Sequence, residues 1–491
     1  MFDRFITFFA RLTPQELAIS TLAGHVTYAE FDANIDRFAA AIAEHDPPRP
    51  GLAAVCIADR YVHWLALAAL ARLGVTSASY LGMQRAHFEP MLQPDLVLTD
   101  EPPHAGDAAR PRLVRVSPEW LTEVGGRPAT KRPPPQIDPD SLARIMTSSG
   151  TTGAPKKFGL TWSCIENRLM HAATIGTIKG VRSLSLIGPE FYPFPSAFGD
   201  WARGATVLFG SNDPVELAHS LTRLRPNLMA MAPIQLKAVI DNLPEGFRAM
   251  PDLLLGVAGA HTPSPLREQA RLRLTPNLLS VYMATETALM AVKVDTGGTD
   301  DADLGWPSPW AEIEVVDDAH HAVAPGALGV IRVRGSDCIT GYIDDDEANA
   351  RFFHDGWFYP GDVGSLAADG RLRVEGRLDE VMNFGGAKFM PHVIEAAVLA
   401  CPGAKDAGVF TLPDAAGFDM PWIAIVRDDS LREQDVAEAL MLPGLPPTHV
   451  VWIDAVPRTP TGKVQRDQLQ AMARGLGQSG AAGDLRAGPS T

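Results

Sequence analysis

Short, continuous apolar runs alternate with helical periodicities over most of this chain, and that alternation constrains its fold more than any other feature. Residues 52–57, 75–80, 96–99, 183–187, 206–209, 228–231, 253–257 and 278–282 are such runs. A strand that is apolar on successive residues is buried on both faces, which calls for a parallel sheet covered by crossover helices. Helices are expected between the runs, at 61–73, 214–224 and 234–242. Thr27 and Glu30 form a capping box in T-Y-A-E, ahead of Phe31, Ile35, Phe38 and Ile42 at helical spacing. A second box is expected at Ser163 and Glu166, with Trp162, Ile165, Leu169 and Ala173 on one face. The first dozen residues suit an amphipathic helix packed on the body, not a signal peptide. The Pro-rich segment 102–135 is expected to be a surface connection.

From about Ala311 the pattern changes to short strands with tight turns, at 311–317 and 329–335. Past Arg377 the alternation resumes on a smaller scale: helix 393–400, strands 407–412 and 422–426, helix 433–440, strand 449–453. The expected fold class is α/β. A large N-terminal domain (1–378) holds parallel-sheet αβ layers plus a β-rich region, and a small α+β domain follows (379–474). The Gly/Ala/Ser-rich tail 475–491 is expected to be disordered.

The 491 residues carry a formal net charge of −15, which argues against nucleic-acid partners, since these require a basic face. A single nucleotide needs only local positive charge. The four cysteines (Cys56, Cys164, Cys338, Cys401) include no C-x-x-C pair, so neither zinc nor a disulfide framework is expected, and reduced thiols in a cytoplasmic protein are. No run is long enough for a membrane span.

Residues 146–158 read M-T-S-S-G-T-T-G-A-P-K-K-F. Thr147, Ser148, Ser149, Thr151 and Thr152 supply hydroxyls, Gly150 and Gly153 expose backbone N–H groups, and Lys156 adds charge. Such a loop suits polyphosphate oxygens, although a solvated turn has the same composition. It lacks the spacing of a Walker loop.

Four further stretches follow in order: V-A-G-A-H-T-P (257–263); Y-M-A-T-E-T (282–287); G-W-F-Y-P-G-D-V-G (356–364) with G-R-L-D-E-V-M-N-F-G-G-A-K-F-M-P-H-V-I-E (376–395); and P-R-T-P-T-G-K-V-Q-R (457–466). With the hydroxyl-rich loop, this series resembles the adenylate-forming superfamily: acyl-CoA synthetases, adenylation domains of peptide synthetases and beetle-type luciferases. The resemblance runs from the T-Y-A-E helix to Arg466. It implies ATP, Mg²⁺ and CoA, or the phosphopantetheine of an acyl or peptidyl carrier protein, as cofactors and partners, with a small carboxylic acid as substrate.

The chemistry explains the residue types. A carboxylate is a poor electrophile; its acyl adenylate has AMP as leaving group. Negative charge spreads over phosphate oxygens in the transition state, so positioning and positive charge do most of the catalysis. By resemblance, 147–156 holds the β- and γ-phosphates, Thr285 the α-phosphate, and Glu286 ligates Mg²⁺. Asp362 accepts the ribose hydroxyls and Arg377 contacts ribose or phosphate. Gly259 and Ala260 admit the adenine and Tyr282 stacks on it. Lys463 bridges the carboxylate and α-phosphate. Asp379 is the hinge of a mobile small domain, which brings either Lys463 or the thiol-tunnel pair Gly385 and Gly386 to the site. Taken singly, each has an ordinary alternative: Glu286 a solvated helix start, Asp362 a turn aspartate, Tyr282 an aromatic ending a strand, Gly385–Gly386 a hairpin turn.

The stretch G-G-A-K-F-M-P-H resembles the CoA-ligase version. Neither Glu190 nor Asp200 stands where an α-amino acid would need a carboxylate. A histidine common near Tyr192 is missing, and Met283 stands where glycine is usual, which narrows the acyl pocket. Phe191, Tyr192, Phe194, Phe198 and Trp201 point to a hydrophobic acid, aromatic or medium-chain, with core packing as the alternative for each. Loading of a carrier protein, a luciferase-type oxygenase and a non-catalytic nucleotide binder are the rival readings.

Overall fold

The computed structural model describes the chain except residues 1–2, 48–50, 103–111, 149–155, 175–179, 187–195, 212, 261, 298–299, 301, 385–386, 415–417, 460–461, 463 and 480–491. Its described residues form a nine-stranded sheet ordered Trp306–Pro307, Ala288–Asp295, Asn277–Ala284, Leu254–Val257, Leu228–Met231, Arg182–Ser185, Thr206–Phe209, Leu17–Thr21, His25–Thr27. The pairings from Asn277–Ala284 through Leu17–Thr21 are parallel and those beyond them on either side antiparallel. A second, six-stranded sheet runs Leu113–Arg115, Leu96–Thr99, Leu52–Cys56, Thr76–Ser79, Leu142–Ser148, Lys156–Thr161, parallel up to its last hairpin.

Apolar helices join the two sheets. In Arg60–Leu73 every residue from 62 to 73 is buried, and Gly74 ends it in the left-handed conformation, φ +69°. Together with Tyr28–Ala43, started by the expected Thr27/Glu30 capping box, it forms one hydrophobic cluster with both sheets. Within this layer Arg72 meets three buried carboxylates, Asp3 at 2.9 Å, Asp32 at 2.7 Å and Asp36 at 2.6 Å, tying the N-terminal helix Arg4–Leu12 to the core. Removing one member would strand a buried charge, so the cluster fixes the position of that helix.

The β-rich region is antiparallel, with Gly329–Gly335 flanked by Ala311–Val316 and Asp362–Leu366, and Leu372–Arg377 beyond. After residue 381, Ala404–Pro413, Asp419–Arg427 and His449–Trp452 form a three-stranded mixed sheet. Its two hydrophobic clusters contain no described residue before Met382. The last helix, Arg466–Ser479, continues past the boundary expected at 474.

Two local expectations are corrected. The Pro-rich connection 102–135 contains the edge strand Leu113–Arg115 and the helix Pro118–Gly126, whose start is set by Ser117 accepting from the Trp120 N–H at 3.2 Å and by Pro118 in its first turn. The helix Trp162–Thr174 is capped not by Ser163 but by Thr161, whose hydroxyl accepts from the Cys164 N–H at 3.1 Å. The four cysteines are free. Among the described residues no helix is long and apolar enough to cross a membrane.

Candidate active site

The antiparallel strands Asn277–Ala284 and Ala288–Asp295 are joined by a tight turn at 285–287, with Ala288 at φ +59°. Glu286 in that turn is buried, so it is neither solvated nor the start of a helix. Its Oε1 accepts the Tyr342 hydroxyl at 2.9 Å. The Glu286 carbonyl accepts from the Ile339 N–H at 2.8 Å. A buried guanidinium holds the same turn: Arg168 donates to the carbonyls of Thr285 at 3.2 Å and Glu286 at 3.1 Å, and through Nε to that of Asp337 at 3.0 Å. Asp337 is fixed in turn by His171 Nδ1 at 2.8 Å, and the His171 ring stacks on Trp310 with centroids 4.2 Å apart.

Residues 339–343 then run from this turn to the strand that leaves the hydroxyl-rich loop. Tyr342 bridges to Phe158, and the Ile343 N–H donates to the Lys157 carbonyl at 2.7 Å. The Lys156 ammonium lies 5.9 Å from the Tyr342 ring centroid and 5.3 Å from that of Phe352. Lys157 points elsewhere, to Asp344 at 2.8 Å. Thr147 pairs with Lys157, and the Ser148 backbone with Lys156, at the mouth of the loop. Ser149, Gly150, Thr151, Thr152 and Gly153 lie outside the described residues.

A second cluster forms at Asp362, the first residue of its strand and paired with Arg377 in the ladder rather than free in a turn. The Tyr282 hydroxyl donates to its Oδ2 and Arg377 Nη1 lies 3.4 Å from Oδ1. Tyr282 is mid-strand. Burial, then the Asp362 charge, hold its phenol well above the usual value, so it stays a donor. Arg377 also donates to the Pro360 carbonyl and pairs with Asp379 at 3.3 Å. Gly361 has φ +82°, and a Cβ there would sit 3.0 Å from the Arg377 guanidinium.

Gly259 and Ala260 follow the end of Leu254–Val257. Gly259 takes φ +94° with open space where a side chain would be, as close approach of a flat ring requires. Met283 is half-buried beside a register shift in its strand. Phe191, Tyr192 and Phe194 lie outside the described residues. Phe198 and Trp201, by contrast, are core and not pocket: both are buried, they pack edge-on against Trp64, and Trp201 Nε1 donates to the Ala18 carbonyl at 2.9 Å. Asp200 pairs with Arg203.

Lys463, Gly385 and Gly386 also fall outside the described residues, but their flanks are defined. Gly462 has φ +87°, its carbonyl accepts from Arg458 Nη1 at 2.7 Å, and Arg458 pairs with Asp406 at 2.6 Å. A Cβ on Gly462 would lie 3.1 Å from Ile234. Ile234 is on the helix Pro233–Asp241, just after Leu228–Met231, the neighbour of Leu254–Val257. Gly462 thus lies near the ends of the two neighbouring strands from which Ile234 and Gly259 follow. Met382–Phe384 and Ala387–Phe389 pair antiparallel on either side of Gly385–Gly386, and Asp379 sits in the short turn Leu378–Glu380 between the β-rich region and the last unit.

Tyr342, Arg168 and Ile339 were missed in the sequence. Arg168 carried a signal: it lies on the same helix face as Ile165 and Leu169, where a guanidinium must find buried acceptors. Tyr342 carried none. Among the described residues no group of three or more His, Cys, Asp or Glu could hold a metal. Glu286 therefore offers one carboxylate, which suits Mg²⁺, an ion that takes its other oxygens from phosphate and water.

Known proteins resemble this chain over most of its length. A 3-hydroxybenzoate–CoA ligase from Aromatoleum sp. (strain CIB) is 27% identical over 490 residues, covering 92% of this chain and 92% of its own. ATP-bound MatB from Rhodopseudomonas palustris shares the fold with a TM-score of 0.84, covering 96% of this chain and 99% of its own at 21% identity. The o-succinylbenzoate CoA synthetase of Bacillus subtilis, in complex with its acyl-adenylate intermediate, gives a TM-score of 0.81, covering 95% and 97% at 22% identity. Residues 7–343 match the family described as AMP-binding enzyme, and the chain belongs to that family.

Proposed function

We propose that this enzyme is an acid–thiol ligase that joins a hydrophobic carboxylic acid, aromatic or medium-chain, to CoA. The acid carboxylate attacks the α-phosphorus of ATP, and the bond to the β-phosphate oxygen breaks to release pyrophosphate. The CoA thiol then attacks the acyl carbon, loses its proton, and AMP leaves. The observation that carries this reading is the segment 339–343, which ties the Glu286 turn to the strand leaving the hydroxyl-rich loop.

In this reading residues 147–153 and Lys156 hold the terminal phosphates, Thr285 the α-phosphate, and Asp362 with Arg377 the ribose. Glu286 is the protein's ligand to Mg²⁺. When bound, Mg²⁺ neutralises charge on the phosphates. Gly259 and Ala260 leave room for the adenine, and Met283 narrows the acyl pocket. Lys463 stabilises the charge that grows between carboxylate and phosphate. The unit after Asp379 turns to exchange Lys463 for Gly385–Gly386 between the two steps, an arrangement suited to one pocket serving two reactions.

The test is AMP formation with ATP, Mg²⁺ and a pool of carboxylic acids, with and without CoA, products read by mass. A CoA thioester is the expected product. Acyl adenylate without thioester would move the acceptor to a carrier protein, and no AMP with any acid would sink the ligase reading.

A further inference from the structure

We propose that Tyr342 is a positioning residue for the cation. It fixes Glu286 so that one carboxylate oxygen is left for the metal, and its ring keeps the Lys156 ammonium from pairing with that carboxylate. The inference rests on the reading of Glu286 as the metal ligand.

A buried carboxylate needs a donor. Were that donor an arginine or lysine, it would neutralise the carboxylate and remove the attraction for a cation. A phenol donates without adding charge. The Tyr342 hydroxyl takes Oε1 at 2.9 Å, and among the described residues Oε2 has no hydrogen-bond partner. Both residues are buried.

The ring is held from two sides. Asn349 clamps the Tyr342 backbone, accepting from its N–H at 2.6 Å and donating to its carbonyl at 2.9 Å. A side chain at Gly341 would come within 3.0 Å of Asn349 Oδ1, so the clamp depends on glycine there. Phe352 and Phe353 meet the ring nearly edge-on, at 79° and 77°. On the phosphate-loop side, Lys156 lies over the rings of Tyr342 and Phe352 and, among the described residues, pairs with no carboxylate. An aromatic face holds an ammonium loosely enough to release it to a stronger anion. Tyr342 thus keeps a cation and an anion of the same pocket apart.

The test compares wild-type enzyme, Tyr342→Phe and Glu286→Gln as full chains without acid. Calorimetry gives the ATP dissociation constant with and without Mg²⁺, and the ratio is the tightening due to the metal. Tyr342→Phe is expected to shrink that ratio about 10-fold, as for one lost hydrogen bond to a charged group. ATP affinity without Mg²⁺ should stay near wild type. A purely structural role would weaken both constants alike and overturn the proposal. If Glu286→Gln loses the tightening and Tyr342→Phe keeps it, the inference fails while Glu286 stands as ligand. If Glu286→Gln keeps it, the metal assignment fails and the inference with it. Should Tyr342→Phe not fold, Asn349→Ala frees the same ring, and a fall in the ratio with unchanged metal-free affinity is expected; an unchanged ratio overturns the proposal.

Discussion

The hydroxyl of Tyr282 donates to the carboxylate of Asp362, joining the nine-stranded sheet to the β-rich region across 80 positions of chain. It orients one oxygen of Asp362 while Arg377 lies near the other. Tyr282→Phe would remove the phenol's hydrogen bond to Asp362. The expected result is a rise of about 10-fold in the KM for ATP with a small change in kcat, and a loss of roughly 1–3 kcal/mol in stability by urea unfolding. An unchanged KM would show that Asp362 needs no such support.

Arg168 caps three carbonyls around the Glu286 turn. Arg168→Met takes the guanidinium from all three, with the Ile339 N–H remaining on the Glu286 carbonyl, so about 3 kcal/mol of stability should go. In the fraction that folds, kcat/KM should fall about 100-fold, because the turn carries Thr285 and Glu286 and small misplacements are costly. Arg168→Lys, reaching fewer of the three, should lie between. Urea titration and steady-state kinetics on the two variants check this.

Trp201 separates the core assignment from a pocket assignment. Trp201→Ala should cost about 3–5 kcal/mol, as for a buried aromatic. The rank order of acids accepted by the surviving enzyme should stay as in wild type. A changed acid preference with little loss of stability would return Trp201 to the pocket.

Gly462 is left-handed, and a Cβ there would lie 3.1 Å from Ile234. Gly462→Val adds backbone strain of about 1–2 kcal/mol and crowds that contact. The adenylation half-reaction should slow about 10-fold or more, while thioester formation from supplied acyl adenylate, which the proposed function assigns to another orientation, should be spared. Equal damage to both half-reactions would argue against two orientations.

His63 is buried, with Nδ1 at 2.8 Å from the Ile57 carbonyl and Nε2 at 2.8 Å from the Ser79 hydroxyl. Burial is the main cause that pushes its pKa down from 6.5 to about 3, so it is neutral in the fold. The unfolded chain takes up the proton first on acidification. This contribution is therefore complete above pH 6.5 and is lost as pH falls toward 3, by about 1.4 kcal/mol per unit. His63→Gln should flatten the acid limb of stability between pH 6 and 4 in denaturant titrations.

The strands and long helices were legible because burial on both faces writes a continuous apolar run. Thr206–Phe209, Leu228–Met231 and Pro214–Leu224 stand where the alternation places them. Leu113–Arg115 was not legible: three residues at a sheet edge are too few to show a period. Phe198 and Trp201 misled because an aromatic run near a pocket does not say which side of a helix faces it. The site motifs located Glu286 and Asp362, yet not what holds them. Tyr342 reaches Glu286 over 56 positions and Arg168 reaches it over 118, and such pairings exist only once the sheets have assembled.

The segment 339–343 works as a caliper. Among the described residues its hydrogen bonds run to 157, 286 and 349. The spacing between the Glu286 turn and the strand leaving the hydroxyl-rich loop is thus set by one short segment that touches both. A substitution that spares these contacts leaves the two parts at the same distance, wherever else in the chain it falls.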